Sequence, residues 1–248
     1  MFNDSFQLHV VVDGRRLPIH HKDGKNFVEA LDGKDYEIEL VVPSFSRTAA
    51  VVSVDGLSVM TGKRASVNDG AYVIGEGGVY SGKIPGFRLN NSEVARFNFT
   101  KPDESYAALM DKPENIGVIA VVFYREKPRR HPDLLGGGLE MTRGGGHTFG
   151  GGMKGGGFLG GDGIKGGVNP TSARHDIGTG FGDRAEHKVQ EVEFERGAEA
   201  SRIVIEYASR AALIAAGVIV PPKGSPLGDV CAFPGDVGTG CNPPPGWR

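Results

Sequence analysis

Apolar positions along the chain come in short runs of period two, broken by turn-forming residues, from residue 6 to about residue 127. QLHVVVDG alternates and stops at Asp13-Gly14, YEIELVV puts Tyr36, Ile38 and Leu40 on one face, and TAAVVSV follows the PSFSR turn and ends at Asp55-Gly56. An Asp-Gly pair supplies the positive φ that a two-residue hairpin demands. AYVIGEGGVYSGKIPGFR predicts two short strands around a Gly-Glu-Gly-Gly turn, and EVARFNFT sets Ala95, Phe97 and Phe99 opposite Val94, Arg96 and Asn98. IGVIAVVFYRE is nearly continuous in apolar β formers, the pattern of a central strand covered on both faces. SYAALMDKPENI leaves room for one or two helical turns before Pro113. About eight strands at this spacing predict an antiparallel β-sandwich or jelly-roll-like domain over 1–127.

At Lys127 the pattern breaks. KPRRHPDLL leads into GGGLEMTRGGGHTFGGGMKGGGFLGGDGIKGG, so that 128–177 reads as a Pro/Gly-rich tract, either a linker or an assembly arm. Glycine loses the most backbone entropy on ordering, and such a tract has no local contacts to offset that loss. Beyond Asn169-Pro170, HKVQEVEFERG and SRIVIEYAS predict two strands of hairpin length, with Val192 and Phe194 on one face of the first and Ile203, Ile205 and Tyr207 on one face of the second. Ser209 predicts a cap for the helix RAALIAA, ended by Gly217. This small C-terminal ββα unit, 178–220, is near the lower size limit for an independent core. The rest, 221–248, is a Pro/Gly-rich tail carrying Trp247.

Forty glycines and fifteen prolines in 248 residues account for a hydrophobic fraction of only 39%. The formal net charge of -2 provides no field to gather nucleic acid or an anionic membrane. MFNDSFQLHVVVDG has no basic or apolar leader region, and no run approaches the ~18 apolar residues of a membrane span. Synthesis in a cytoplasm without a signal peptide is the expectation. Cys231 and Cys241 flank AFPGDVGTG. They read as two free or buried thiols or as a short disulfide loop.

Candidate chemistry is sparse. GDGIKG (Gly161, Gly163, Gly166) matches a dinucleotide-binding pattern only because it sits in a glycine tract, without the strand and helix that give the motif its meaning. The Gly-Lys pairs lack the following hydroxyl residue of a P-loop, and there is no G-x-S-x-G elbow. His20-His21 with Asp23 is the densest histidine group, but neighbours on a strand point to opposite faces, and His9 with Asp13 suits a solvated face. No metal and no cofactor are expected. Glu191, Glu193 and Glu195 alternate with apolar residues as a solvated strand face would. VVSVDGLSVMTGKRAS reads as a hairpin whose following loop offers Lys63 and Arg64 to an acidic partner.

VVSVDGLSVMTGKRAS, AYVIGEGGVYSGKIPGFR, SEVARFNF, SYAALMDKPENIGVIAVVFYRE and IGTGFGDRAEHKVQEVEFER together resemble a family of uncharacterised proteins of bacterial and bacteriophage genomes. The resemblance covers most of Leu8 to Glu126 and Gly178 to Gly217, and Ala71 stands where the family pattern has glycine. It implies two modules joined by a tether of variable length and brings no catalytic residues.

The expectation is therefore a non-catalytic structural or assembly protein, of the kind that decorates a bacteriophage capsid or sits at its vertex or head-to-tail junction. Its partners would be other protein subunits, including copies of itself. Met141, Phe149, Met153, Phe158 and Leu159 in the tract, with Lys63, Arg64 and Trp247, are the candidate partner-binding residues. Two other readings compete. A carbohydrate- or ligand-binding sandwich would group Tyr72, Tyr80, Phe87 and Trp247; an enzyme would converge carboxylates around Asp55, Asp69 and Glu93.

Overall fold

A computed structural model describes residues 5–43, 47–75, 78–128 and 176–221. In chain order its strands are β1 (Gln7–Val12), β2 (Arg15–Arg16), β3 (Ile19–Lys22), β4 (Lys25–Glu29), β5 (Asp35–Val41), β6 (Thr48–Val54), β7 (Leu57–Ser58), β8 (Tyr72–Ile74), β9 (Ser81–Ile84), β10 (Gly86–Arg88), β11 (Glu93–Thr100), β12 (Val118–Glu126), β13 (Gly178–Glu186) and β14 (Arg196–Ala208). Asp-Gly pairs turn three of the hairpins, β1–β2, β3–β4 and β6–β7, with φ near 50° at Asp13, Asp23 and Asp55 and near 75° at the following glycines. Both central residues in the left-handed region is the type I′ geometry whose twist matches the strands it joins.

The strands form two sheets. In one, the backbone of the order is β10-β11-β5-β1-β2, with β9 on β5 and β13 on β11; in the other it is β3-β4-β14-β12-β6-β7, with β8 on β6. The mainly β, sandwich-like architecture predicted by the alternation is thus present. Tyr36, Ile38 and Leu40 of β5, Phe97 and Phe99 of β11, Ile119, Val121 and Phe123 of β12, and Ile205 and Tyr207 of β14 fill a single core. Tyr36 stacks on Phe97 and Phe99, with centroids 5.2 and 4.3 Å away. Each such side chain adds about 1.5–3 kcal/mol on burial. β12 is central as expected, between β6 and β14.

Two α-helices are present among the described residues. α1 (Tyr106–Leu109) is capped by Ser105, whose hydroxyl accepts from Ala108 N at 3.2 Å. α2 (Arg210–Ala215) is capped by Ser209 and followed by Gly217 at φ 66°, as the sequence predicts. Leu213 and Ile219 of the α2 region cover Phe27 and Ala208 in a second, smaller cluster.

The C-terminal part differs from its prediction. The two strands and the helix exist, but they are not a hairpin unit: β13 pairs antiparallel with β11 in the first sheet, and β14 pairs with β12 and, in parallel, with β4 in the second. The first strand is also misplaced by the pattern, since GTGFGDRAE forms β13 whereas 187–195 is irregular. The glycines of β13 answer to packing. A Cβ at Gly178 would stand 2.6 Å from Ser105 Cβ, and one at Gly180 would stand 2.5 Å from Asn98 Oδ1. Segment 187–195 cannot continue a hairpin because it carries the chain from one sheet to the other. Consequently the Pro/Gly-rich tract does not join two units. It begins after β12 and ends before β13, with both ends rooted in the same sandwich.

Candidate functional site

Among the described residues one charged side chain lies in the core. Asp55, at the β6–β7 turn, is 2% exposed. Its Oδ1 accepts from Tyr207 Oη at 2.6 Å and from Gly117 N at 2.9 Å, and its Oδ2 accepts from Thr179 N at 2.8 Å. Thr179 Oγ1 lies 2.6 Å from Tyr207 Oη and 2.7 Å from Tyr36 Oη. A carboxylate only accepts, so the hydroxyl protons must run in one direction, Tyr36 to Thr179 to Tyr207 to Asp55. The chain draws one residue each from β5, β13 and β14 onto the turn, and so ties both sheets together. Burial pushes the Asp55 carboxyl up to about 6, against the downward pull of the hydrogen bonds from Tyr207 and the amides of Thr179, Gly117 and Val118. Burial, and then the charge of Asp55, hold the Tyr36 and Tyr207 hydroxyls well above their usual range.

A second cluster lies on the surface, where α1 packs on β13. Phe181, on the strand, is 45% exposed and its ring lies 4.7 Å from Tyr106 and 6.0 Å from the buried Phe87. Leu109 and Met110, three and four residues beyond Tyr106 on the same side of the helical turn, are 68% and 42% exposed. Among the described residues β13 pairs with β11 alone. The sequence-predicted Lys63 and Arg64 belong to the same neighbourhood, because Gly62 sits directly against the Tyr106 hydroxyl. Lys63 is exposed, and Arg64 donates to Glu114 at 2.9 Å.

No family model, curated protein or solved structure matches the chain.

Met141, Phe149, Met153, Phe158, Leu159 and Trp247 lie outside the described residues, as do Cys231 and Cys241. The aromatic platform of a ligand-binding sandwich does not assemble from the described candidates: Phe87 is in the core, Tyr80 packs against it, and the Tyr72 hydroxyl accepts from Arg88. Arg88 also donates to the His187 carbonyl at 2.7 Å, so this group latches β8, β10 and the chain after β13 to one another. Burial, and then Arg88, lower the proton affinity of His187. Of the three acids of the enzyme reading, Asp55 is enclosed, Asp69 accepts from its own loop at Ser66 N, and Glu93 accepts from Asn90. Among the described residues no group of three or more His, Cys, Asp or Glu is arranged for a metal ion, and no helix is long and apolar enough to cross a membrane.

Sequence reasoning missed Tyr106, Leu109, Met110 and Phe181. The i, i+3, i+4 spacing in YAALM was a usable signal. Phe181 stands in GTGFGDR at the start of the 178–220 unit, where the flanking glycines obscure the alternation of a strand.

Proposed function

We propose that the chain is a non-catalytic assembly protein, of the type found as a decoration, vertex or head-to-tail component of a bacteriophage particle. Its sandwich is the rigid body, and the Pro/Gly-rich tract is an arm that lies on neighbouring subunits. The observation that carries this reading is topological: the tract starts and ends on one sandwich, and it returns at β13, which has one partner strand among the described residues and bears the exposed Phe181. A linker between two units has no such anchoring. An arm does, because a loop held at both ends loses less freedom when it is laid against a partner. The exposed apolar residues on α1 and the lysine and arginine of the adjoining loop supply the kind of mixed surface that protein partners cover. The sequence resemblance to proteins of bacterial and bacteriophage genomes supports the same reading.

Hydrogen exchange followed by mass spectrometry tests it, on the purified chain and on the large particle it enters. Protection across 136–167 in the particle, and fast exchange in the free chain, is the expected result. Fast exchange in both states sinks the arm. Unchanged assembly of the Phe149→Ala, Phe158→Ala double variant removes those two anchors.

A further inference from the structure

His187 stands where the chain leaves β13 to cross to the second sheet, and its ring lies against a cation. We propose that the contact between Arg88 and His187 is a proton-operated latch on the start of that crossing: a neutral imidazole holds 187–189 to the first sheet, and a proton on the ring releases them while the far end of the crossing stays in place.

The geometry fixes the protonation state. Arg88 of β10 donates through Nη2 to His187 Nδ1 and through Nη1 to the His187 carbonyl, the latter at 2.7 Å. A guanidinium carries donors only, so Nδ1 is the lone-pair nitrogen and the latched ring is neutral. A proton on Nδ1 would face Arg88 donor against donor and charge against charge. Release does not strand Arg88, because its Nη2 and Nε also donate to the Tyr72 hydroxyl at 2.9 and 3.2 Å and its Nη1 to the Asn90 carbonyl at 3.2 Å. The imidazole is only half-buried, so it can reach water without opening the core. What it would free is the backbone beside it: His187 N donates to the Ser92 carbonyl at 2.8 Å and Val189 N to the Asn91 carbonyl at 2.9 Å.

The groups around the ring set the sign. Burial, and then Arg88, lower the proton affinity of His187 from the ordinary 6.5, while the Lys83 carbonyl on β9 and the charge of Glu37 on β5 pull less strongly the other way. Tyr72 of β8 faces the ring with centroids 6.3 Å apart. The Lys83 ammonium is paired with Glu37 at 3.0 Å, Lys188 with Glu186 at 2.6 Å, and Glu93 of β11 accepts from Asn90. A released imidazole regains water and escapes Arg88, so it binds a proton better than the latched one. By linkage the latch is whole above about pH 6.5 and weakens as pH falls below it. The far end of the crossing is held without His187: Arg47 Nη2 donates to the Glu193 carbonyl at 3.0 Å and Lys127 N to the Glu195 carbonyl at 2.9 Å.

The test uses the full chain. Amide exchange of a peptide covering 185–190 is measured from about pH 7.5 to about pH 5, each rate divided by the intrinsic rate at that pH. Peptides covering 119–123 and 124–128 report the core and the far end of the crossing. The expected result is a roughly tenfold loss of protection at 185–190, the size of one lost charge-assisted hydrogen bond, and no loss in the two controls. His187→Asn keeps an acceptor near Nδ1 and cannot titrate, so its protection at 185–190 should be independent of pH. The His187 ring proton, followed by NMR in the wild-type chain, reads the same equilibrium without a variant, and its midpoint should lie below 6.5. A ring that titrates at or above that value overturns the proposal. So does protection at 185–190 that stays within about twofold of its starting level, a loss shared equally by the controls, or the same acid loss in His187→Asn.

Discussion

The Asp13-Gly14 and Asp55-Gly56 turns have the same dipeptide and nearly the same backbone, φ 49° and 75° in one and 51° and 76° in the other. Their aspartates have opposite lives. Asp13 reaches into solvent and meets Lys34 at 3.2 Å, whereas Asp55 is enclosed and takes hydrogen bonds from residues 62, 124 and 152 positions away. Local sequence decides that a chain turns at Asp-Gly. What the aspartate then does is decided by strands that arrive later in the sequence.

Asp55→Ala breaks the comparison most strongly. It leaves the Thr179 and Gly117 amides and the Tyr207 hydroxyl buried without their acceptor, and a loss of about 4 kcal/mol is expected in urea unfolding. Asp13→Ala removes a solvated ion pair and puts alanine at φ 49°, so a loss of about 1 kcal/mol is expected, most of it backbone strain. Equal effects would mean that the turn matters and the buried carboxylate does not.

The next effect is on pH. The folded-state value of Asp55 is raised to about 6 from an ordinary 3.8, so its contribution is fully present below about pH 4 and is lost as pH rises through 6. Wild-type stability minus that of Asp55→Asn should therefore fall by about 3 kcal/mol between those limits, at roughly 1.4 kcal/mol per unit. Asp13→Asn, by contrast, should leave a difference from wild type that is nearly flat over that window. A wild-type minus Asp55→Asn difference that rises with pH would reverse the assignment.

Glycine gives a finer contrast. At Gly14 an added Cβ meets nothing within 4 Å, while at Gly56 it meets Asn115 Cβ at 2.9 Å and its side-chain amide nitrogen at 2.8 Å. Gly14→Ala should lose about 1 kcal/mol for the positive φ alone, and Gly56→Ala about 2 kcal/mol, because Asn115 must also move. Matched losses in thermal unfolding would show that Asn115 yields freely.

The same division explains what was legible beforehand. β5, β6, β11 and β12 were readable because one face or both are apolar and the period is two. The Ser209 cap and Gly217 stop were readable because capping is local. β13 was not, since its glycines are required by Ser105 and by Asn98, residues of other elements, and in a single sequence they merge with the tract before them. Conversely, VQEVEFE alternates like a strand but serves as the crossing between sheets, where Arg47 lies 5.6 Å over Phe194 and donates to the Glu193 carbonyl at 3.0 Å. Of the candidate surface, the Lys63-Arg64 loop was visible as a loop. Its apolar neighbours on α1 and β13 needed the fold to bring them alongside.

A pair of hydroxyl deletions tests whether the hydroxyl chain acts as a unit. Tyr36→Phe keeps the ring stacked on Phe97 and Phe99 and removes only the hydroxyl farthest from the charge. Thr179 Oγ1 then loses one donor but keeps its own bond to Tyr207, so a loss of about 1 kcal/mol is expected. Tyr207→Phe removes the donor that touches the carboxylate and should cost about 2 kcal/mol, because that bond is charge-assisted. It should also raise the Asp55 carboxyl further, by removing the strongest of the hydrogen bonds that hold it down. The graded pair separates two pictures. If the losses are unequal and the double variant is additive, Asp55 collects independent bonds. If either single change costs as much as both together, the hydroxyls polarise one another, and the order of donors from Tyr36 inward is itself what holds β13 to the turn.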